Sequence, residues 1–174
     1  MTDTPTKHSA EQELDRWRDY IRSVLGREPR GLRGIAAWNP SGQPVVIRVA
    51  SVVANKPFPT TFWLIDPDLN LRIDRLEAGG AIARLQAQVD ADPELQAKMM
   101  RDHEKHKRLR EQFLSDEERQ FLTANGMISA LEERGIGGIA DNDRIRCLHT
   151  WYAAHLVRPN TIGCLTDELF SQTR

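Results

Sequence analysis

The chain reads as an α+β protein in which a small three-stranded antiparallel sheet packs against a mostly helical C-terminal half. Three observations lead there. Residues 32–65 hold three short runs rich in β-branched and aromatic residues, separated by turn-forming Asn, Pro, Ser and Gly. Beyond residue 66 apolar residues recur at helical spacing, and a helix-start signature of Asp, Pro and a second acid occurs twice. At 174 residues and 40% hydrophobic content, the chain can bury one core without disulfides or metal as staples.

The elements follow in order. Residues 1–9 are polar and expected to be disordered, ahead of a single domain over residues 10–174. Ala10 to Leu25 carries Leu14, Trp17, Ile21 and Leu25 on one helical face, and Gly26 and Pro29 end it. Leu32 to Trp38, Pro44 to Val53 and Thr60 to Ile65 are the three strands, with Asn39-Pro40-Ser41-Gly42 between the first two and Asn55-Lys56-Pro57 before the third. Asp66 as N-cap, Pro67 at the first helical position and Asp68 near the positive helix end start a helix that Gly79-Gly80 stops. A short helix spans Ala81 to Val89. Asp92-Pro93-Glu94 then opens a long charged helix to about Arg110. Gly126, Gly135, Gly137 and Gly138 mark a looser connection, and helices from about Asn142 to Val157 and from Ile162 to Phe170 complete the chain.

Charge and composition exclude several roles. With 24 Lys and Arg against 25 Asp and Glu, the net charge of -1 lacks the broad cationic footprint of a nucleic-acid binder. Met1 to Asp15 holds no apolar run of the kind a signal peptide needs, and no stretch approaches the roughly 18 uncharged apolar residues of a membrane span. Two cysteines without paired spacing suit a reducing compartment, so a cytoplasmic protein is expected.

On the long helix Leu95, Met99, Leu109 and Phe113 define an apolar stripe, with His106 near its middle and His103 at its edge. Both imidazoles therefore face protein. They are either core histidines with satisfied nitrogens or an i, i+3 pair that binds metal or moves protons. His103-Glu104-Lys105-His106 is one residue short of the zincin spacing. In the expected helix from Asn142, His149 shares a face with Ile145, Leu148 and Tyr152. Cys147 lies about 160° around that wheel from His149, so the two would not hold one ion together. Lys98 to Arg110 carries six cations against two acids. With Arg72, Arg75, Arg144 and Arg146 nearby, this stretch is either a solvated face or an anion cradle. Gly135-Ile136-Gly137-Gly138 lacks the Lys-Ser/Thr of a phosphate loop, and Cys164 has no evident base.

The runs Leu25-Gly26-Arg27-Glu28-Pro29-Arg30-Gly31, Gly42-Gln43-Pro44-Val45-Val46-Ile47 and Pro57-Phe58-Pro59-Thr60-Thr61-Phe62-Trp63-Leu64 occur in one order with Arg75-Leu76-Glu77, Asp92-Pro93-Glu94-Leu95 and Arg146-Cys147-Leu148-His149. Together they resemble the domain of unknown function 501 family over nearly the whole chain after the first helix. The resemblance implies a bacterial, cytoplasmic protein without an assigned activity. It is similar to proteins encoded near a septum-formation initiator and an exopolyphosphatase-type enzyme, which points to division or phosphate metabolism. It also implies a thiolate metal site built from cysteines in the first hairpin, a cysteine before the proline after the third strand, and the Cys-Leu-His run. Here Trp38-Asn39 and Asp66 stand at the first two places, leaving Cys147 and His149 at matching positions.

Two functional classes follow, the first favoured because the sequence shows no complete catalytic constellation. One is a regulatory or adaptor protein that meets a protein partner, or a second copy of itself, through the charged long helix and the helical C-terminal half. The other is a small enzyme or anion- or metal-binding protein with a site at the sheet–helix junction. Asp66, His103, His106 and His149 would there hold a divalent metal, Thr60 and Thr61 would donate hydroxyls, and Arg72 or Arg146 would clamp an anion.

Overall fold

The computed structural model describes residues 7–172. The first helix, α1 (Lys7–Leu25), starts earlier than the sequence suggested, so Lys7 to Ser9 belong to its first turns. Met1 to Thr6 lie outside the described residues. Asn39 then organises the first hairpin. Its carboxamide oxygen accepts the N–H groups of Ser41 (3.0 Å) and Gln43 (2.9 Å) and closes the loop between β1 (Leu32–Trp38) and β2 (Pro44–Val49).

The second strand stops four residues short of the expected Val53. A separate small hairpin, β3 (Val52–Val53) and β4 (Lys56–Pro57), takes the remainder. Its two loop residues, Ala54 and Asn55, are both left-handed (φ 50° and 60°), as a type I′ turn requires. The chain returns as β5 (Phe62–Leu64) on the free edge of β2, giving an antiparallel sheet of order β1-β2-β5. Alternation sends Phe62 and Leu64 into the main core, while Trp63, Ile47 and Val49 meet Trp17 and Ile21 of α1. Helices thus cover both faces, which explains why the central strand reads as a nearly continuous apolar run.

Asp66 caps α2 (Pro67–Ala78) by accepting the Leu69 N–H at 2.9 Å. After α3 (Ala81–Ala91), Asp92 caps α4 (Pro93–Phe113) in the same way through the N–H groups of Glu94 and Leu95. A helix absent from the expected elements, α5 (Asp116–Ala124), stands before Gly126, and the stretch expected to be a loose connection holds the short α6 (Ser129–Glu132). The signal for α5 was present in the sequence: Ser115 and Glu118 form a reciprocal capping box. A 3-10 turn (Ile136–Gly138) leads to α7 (Leu148–Val157) and α8 (Thr161–Gln172).

One face of α4 runs through the core as a polar spine. Asp102, His103, His106 and Arg110 are all buried, and three of them bond backbone groups of distant segments. The Asp102 carboxylate accepts the Thr161 N–H at 2.7 Å and so holds the start of α8. His103 Nδ1 accepts the Ile136 N–H at 2.9 Å. Gly135 is glycine for the same contact, because a Cβ there would stand 2.0 Å from His103 Nδ1. Arg110 donates to the Pro59 carbonyl at 2.8 Å and to the carbonyls of Leu131 and Arg134. Replacing it by Met, which fills similar volume but donates nothing, strands three carbonyls while relieving a buried charge. The expected net loss is about 2–4 kcal/mol, read as a lower urea midpoint at an unchanged slope.

Candidate functional site

The start of α7 depends on contacts made elsewhere in the chain. On α3, Gln86 donates to the Asp143 carbonyl and accepts the Ile145 N–H, both at 2.9 Å, which keeps that segment non-helical. The helix expected from Asn142 therefore begins only at Leu148, with Cys147 as an extended N-cap residue (φ -157°, ψ 125°). The expected wheel angle between Cys147 and His149 does not apply, and the structure corrects it. Cys147 Sγ lies 3.6 Å from His149 Nδ1.

Helix α2 meets this pair with two carboxylates one turn apart. Glu77 Oε1 accepts the Leu148 N–H at 2.6 Å, capping α7 from outside its own segment, and stands 3.4 Å from His149 Nδ1. Asp74 Oδ1 lies 3.2 Å from the other ring nitrogen, Nε2. The ring is thus held from both sides. Its pKa is raised to about 9, chiefly by the hydrogen bond with the Cys147 sulfur, with Glu77 and Asp74 adding to the effect against the opposing pull of burial.

Donor atoms of Glu77, Cys147 and His149 all lie within 4.8 Å of one another, the one such group of three among the described residues. A tetrahedral ion of zinc class, with bonds of about 2.3 Å to sulfur and about 2.0–2.1 Å to nitrogen and oxygen, spaces its ligand atoms about 3.3–3.6 Å apart. The 3.6 Å between Sγ and Nδ1 and the 3.4 Å between Nδ1 and Oε1 match that spacing. Beside the ring opens a cavity of about 210 Å³, bordered by Arg27, Thr60, Asn70, His149 and Thr150, with Trp63 in its wall.

The residues singled out in the sequence take several places. Thr60 and His149 border the same cavity. Thr61, just before β5, is buried, and Asp66 is occupied as the α2 cap. Arg72 lies exposed over the Phe170 ring at 3.8 Å, and Arg146 is exposed next to Cys147. His103 and His106 belong to the α4 spine, packed against Trp151 and Phe62 respectively. Burial lowers their pKa values to about 4 and about 3, with Arg110 and His103 adding to the effect at His106. Glu77 and Cys147 join the cluster instead. Glu77 stood in the Arg75-Leu76-Glu77 run but was not singled out as a ligand, since only the tertiary fold brings α2 to α7, whereas Cys147 was visible within its Cys-Leu-His run.

The structure is that of an α+β chain with a mixed thiol, imidazole and carboxylate cluster where α2 meets the start of α7. The model of a protein family described as "Protein of unknown function (DUF501)" matches residues 35–168, and the chain belongs to that family. No curated protein and no solved structure matches it. Among the described residues, no helix is long and apolar enough to cross a membrane.

The histidines set a pH profile. Below pH 6.5 the unfolded chain takes up protons that folded His103 and His106 refuse, so stability falls as pH drops toward 4, by about 1.4 kcal/mol per unit for each. His149 acts in the opposite sense. Between 6.5 and about 9 the folded state keeps a proton that the unfolded state releases, so its contribution is lost as pH rises. Thermal melts of metal-free protein across pH 4–9 should peak near 6.5, and His149→Gln should flatten the alkaline side alone.

Proposed function

We propose that this chain is a small metal-binding protein in which Glu77, Cys147 and His149 take one divalent ion of zinc class. The observation that carries the reading is the donor set itself. Three chemically distinct ligand atoms, from α2 and from the first residues of α7 with its N-cap, stand within 4.8 Å of one another. The imidazole is at tetrahedral spacing from both the thiol and the carboxylate, and its remaining nitrogen already faces a second carboxylate. That last contact is how protein-bound metals are commonly supported: Asp74 accepts from Nε2–H and orients the ring, while the Leu148 N–H fixes the Glu77 carboxylate. A metal with three protein ligands keeps one position for water or substrate and supplies Lewis acidity there.

The cavity bordering His149 is the space this reading assigns to a small polar substrate, with Thr60, Thr150, Asn70 and Arg27 as its hydrogen-bonding groups. Chemistry at Cys147 requires a reduced thiol, which fits the cytoplasmic setting expected from the sequence. Of the two classes left open there, the geometry favours this one. The adaptor reading rests on the exposed charged face of α4 and the composition of that helix.

The test begins with elemental analysis of protein purified without chelator, followed by cobalt titration. Near-stoichiometric metal and a thiolate-to-cobalt absorption band are expected. Cys147→Ser should abolish the band and His149→Ala the stoichiometric binding, both in folded protein. Asp74→Asn should weaken affinity about 10–100-fold while leaving the band in place. Equal metal retention by the parent and Cys147→Ser would sink the assignment.

A further inference from the structure

Arg110 poses a separate question, and it involves none of the cluster residues. Its side chain is 2% exposed, yet among the described residues it forms no ion pair with a carboxylate. Only carbonyl oxygens receive it. The Pro59 contact uses one N–H of Nη1, and the Leu131 and Arg134 contacts use those of Nη2, so three of a guanidinium's five donors are engaged. Carbonyl dipoles reduce the cost of burying a cation but do not neutralise it.

Arg110 also lines a cavity of about 200 Å³ between the C-terminal half of α4 and α5–α6. Leu114, Ile128 and Leu131 give that space an apolar wall. Of the acids around it, Glu104 is taken by Lys107, and Glu111 by Arg119 at 3.1 Å. Arg108 and Arg110 then stand against Glu132. The local balance is one positive charge in excess, set beside an apolar surface.

We infer that this cavity is a binding site for a small organic monoanion, a carboxylate with an apolar body, whose charged group pairs with Arg110. A carboxylate oxygen supplies the opposite charge that the carbonyls lack and can accept one of the two donors left free on the guanidinium, Nε–H or the second N–H of Nη1. The apolar body covers Leu114, Ile128 and Leu131, which a bare inorganic ion would leave wet. A phosphate dianion is disfavoured because three carboxylates surround the same space and the excess positive charge is single.

The experiment uses the full chain, with benzoate as probe, benzyl alcohol as its neutral counterpart and inorganic phosphate as the compact anion. Binding is followed by amide chemical shifts of Ile128 and Leu131. Benzoate should bind saturably, at least tenfold more tightly than benzyl alcohol and more tightly than phosphate. Because Arg110 variants lose stability, the site is tested instead with Ile128→Trp. That residue is partly exposed at the start of α6, and its indole would fill the cavity. Ile128→Trp should fold with an unchanged spectrum elsewhere and lose benzoate binding by at least tenfold. Equal affinity for benzoate and benzyl alcohol, tighter binding of phosphate, no saturable benzoate binding, or binding unaffected by Ile128→Trp would each overturn the inference.

Discussion

A single buried guanidinium holds together parts of the chain that share no secondary structure. Through Arg110 the long helix α4 is tied to Pro59, just before the last strand, and to Leu131 and Arg134, at and beyond the end of α6. Burial pushes its pKa down to about 10, which leaves it charged at any physiological pH. The cost of desolvating that charge is partly offset by three backbone carbonyls that it satisfies in turn, so donor and acceptors depend on one another. The same helix holds α8 through Asp102 and the 3-10 turn through His103. Spaced over two turns, these side chains make α4 the element against which the irregular C-terminal segments take their positions.

That arrangement sets up the junction where the cluster lies. Trp151 of α7 packs on His103, so α7 is docked against α4 on one side while its N-terminus reaches α2 on the other. A helix N-terminus carries unpaired N–H groups and partial positive charge, and α2 supplies a carboxylate to it from Glu77. Capping and clustering are therefore one event. The residue that satisfies the Leu148 N–H is also the residue that faces His149, and the extended N-cap conformation is what turns the Cys147 sulfur toward the ring. Had the helix begun at Asn142, Cys147 and His149 would point to different sides.

Much of the architecture was legible from local patterns. The caps at Asp66 and Asp92 act at adjacent residues, so their Asp-Pro signatures mark real helix starts. The apolar stripe of α4 correctly turned His103 and His106 inward. What escaped was decided at longer range. The glycines at 135, 137 and 138 looked like looseness but mark close packing, since Gly135 admits the His103 ring and Gly137 sits against Thr150. The segment before α7 looked helical by composition, and Gln86, more than fifty residues away, holds it open.

The sequence by itself determined the α+β class, the helix starts at residues 67 and 93, the order of the three main strands and the burial of the α4 histidines. Each of these is a matter of side-chain period or of a cap acting within one turn, and neither needs a distant partner. The tertiary structure alone decided where α7 begins and which carboxylates meet its first residues. It also decided that a lone arginine is shut inside the core. Those outcomes turn on hydrogen bonds between groups far apart in the chain, and nothing in the local spacing of residues encodes which distant carbonyl or carboxylate will arrive to form them.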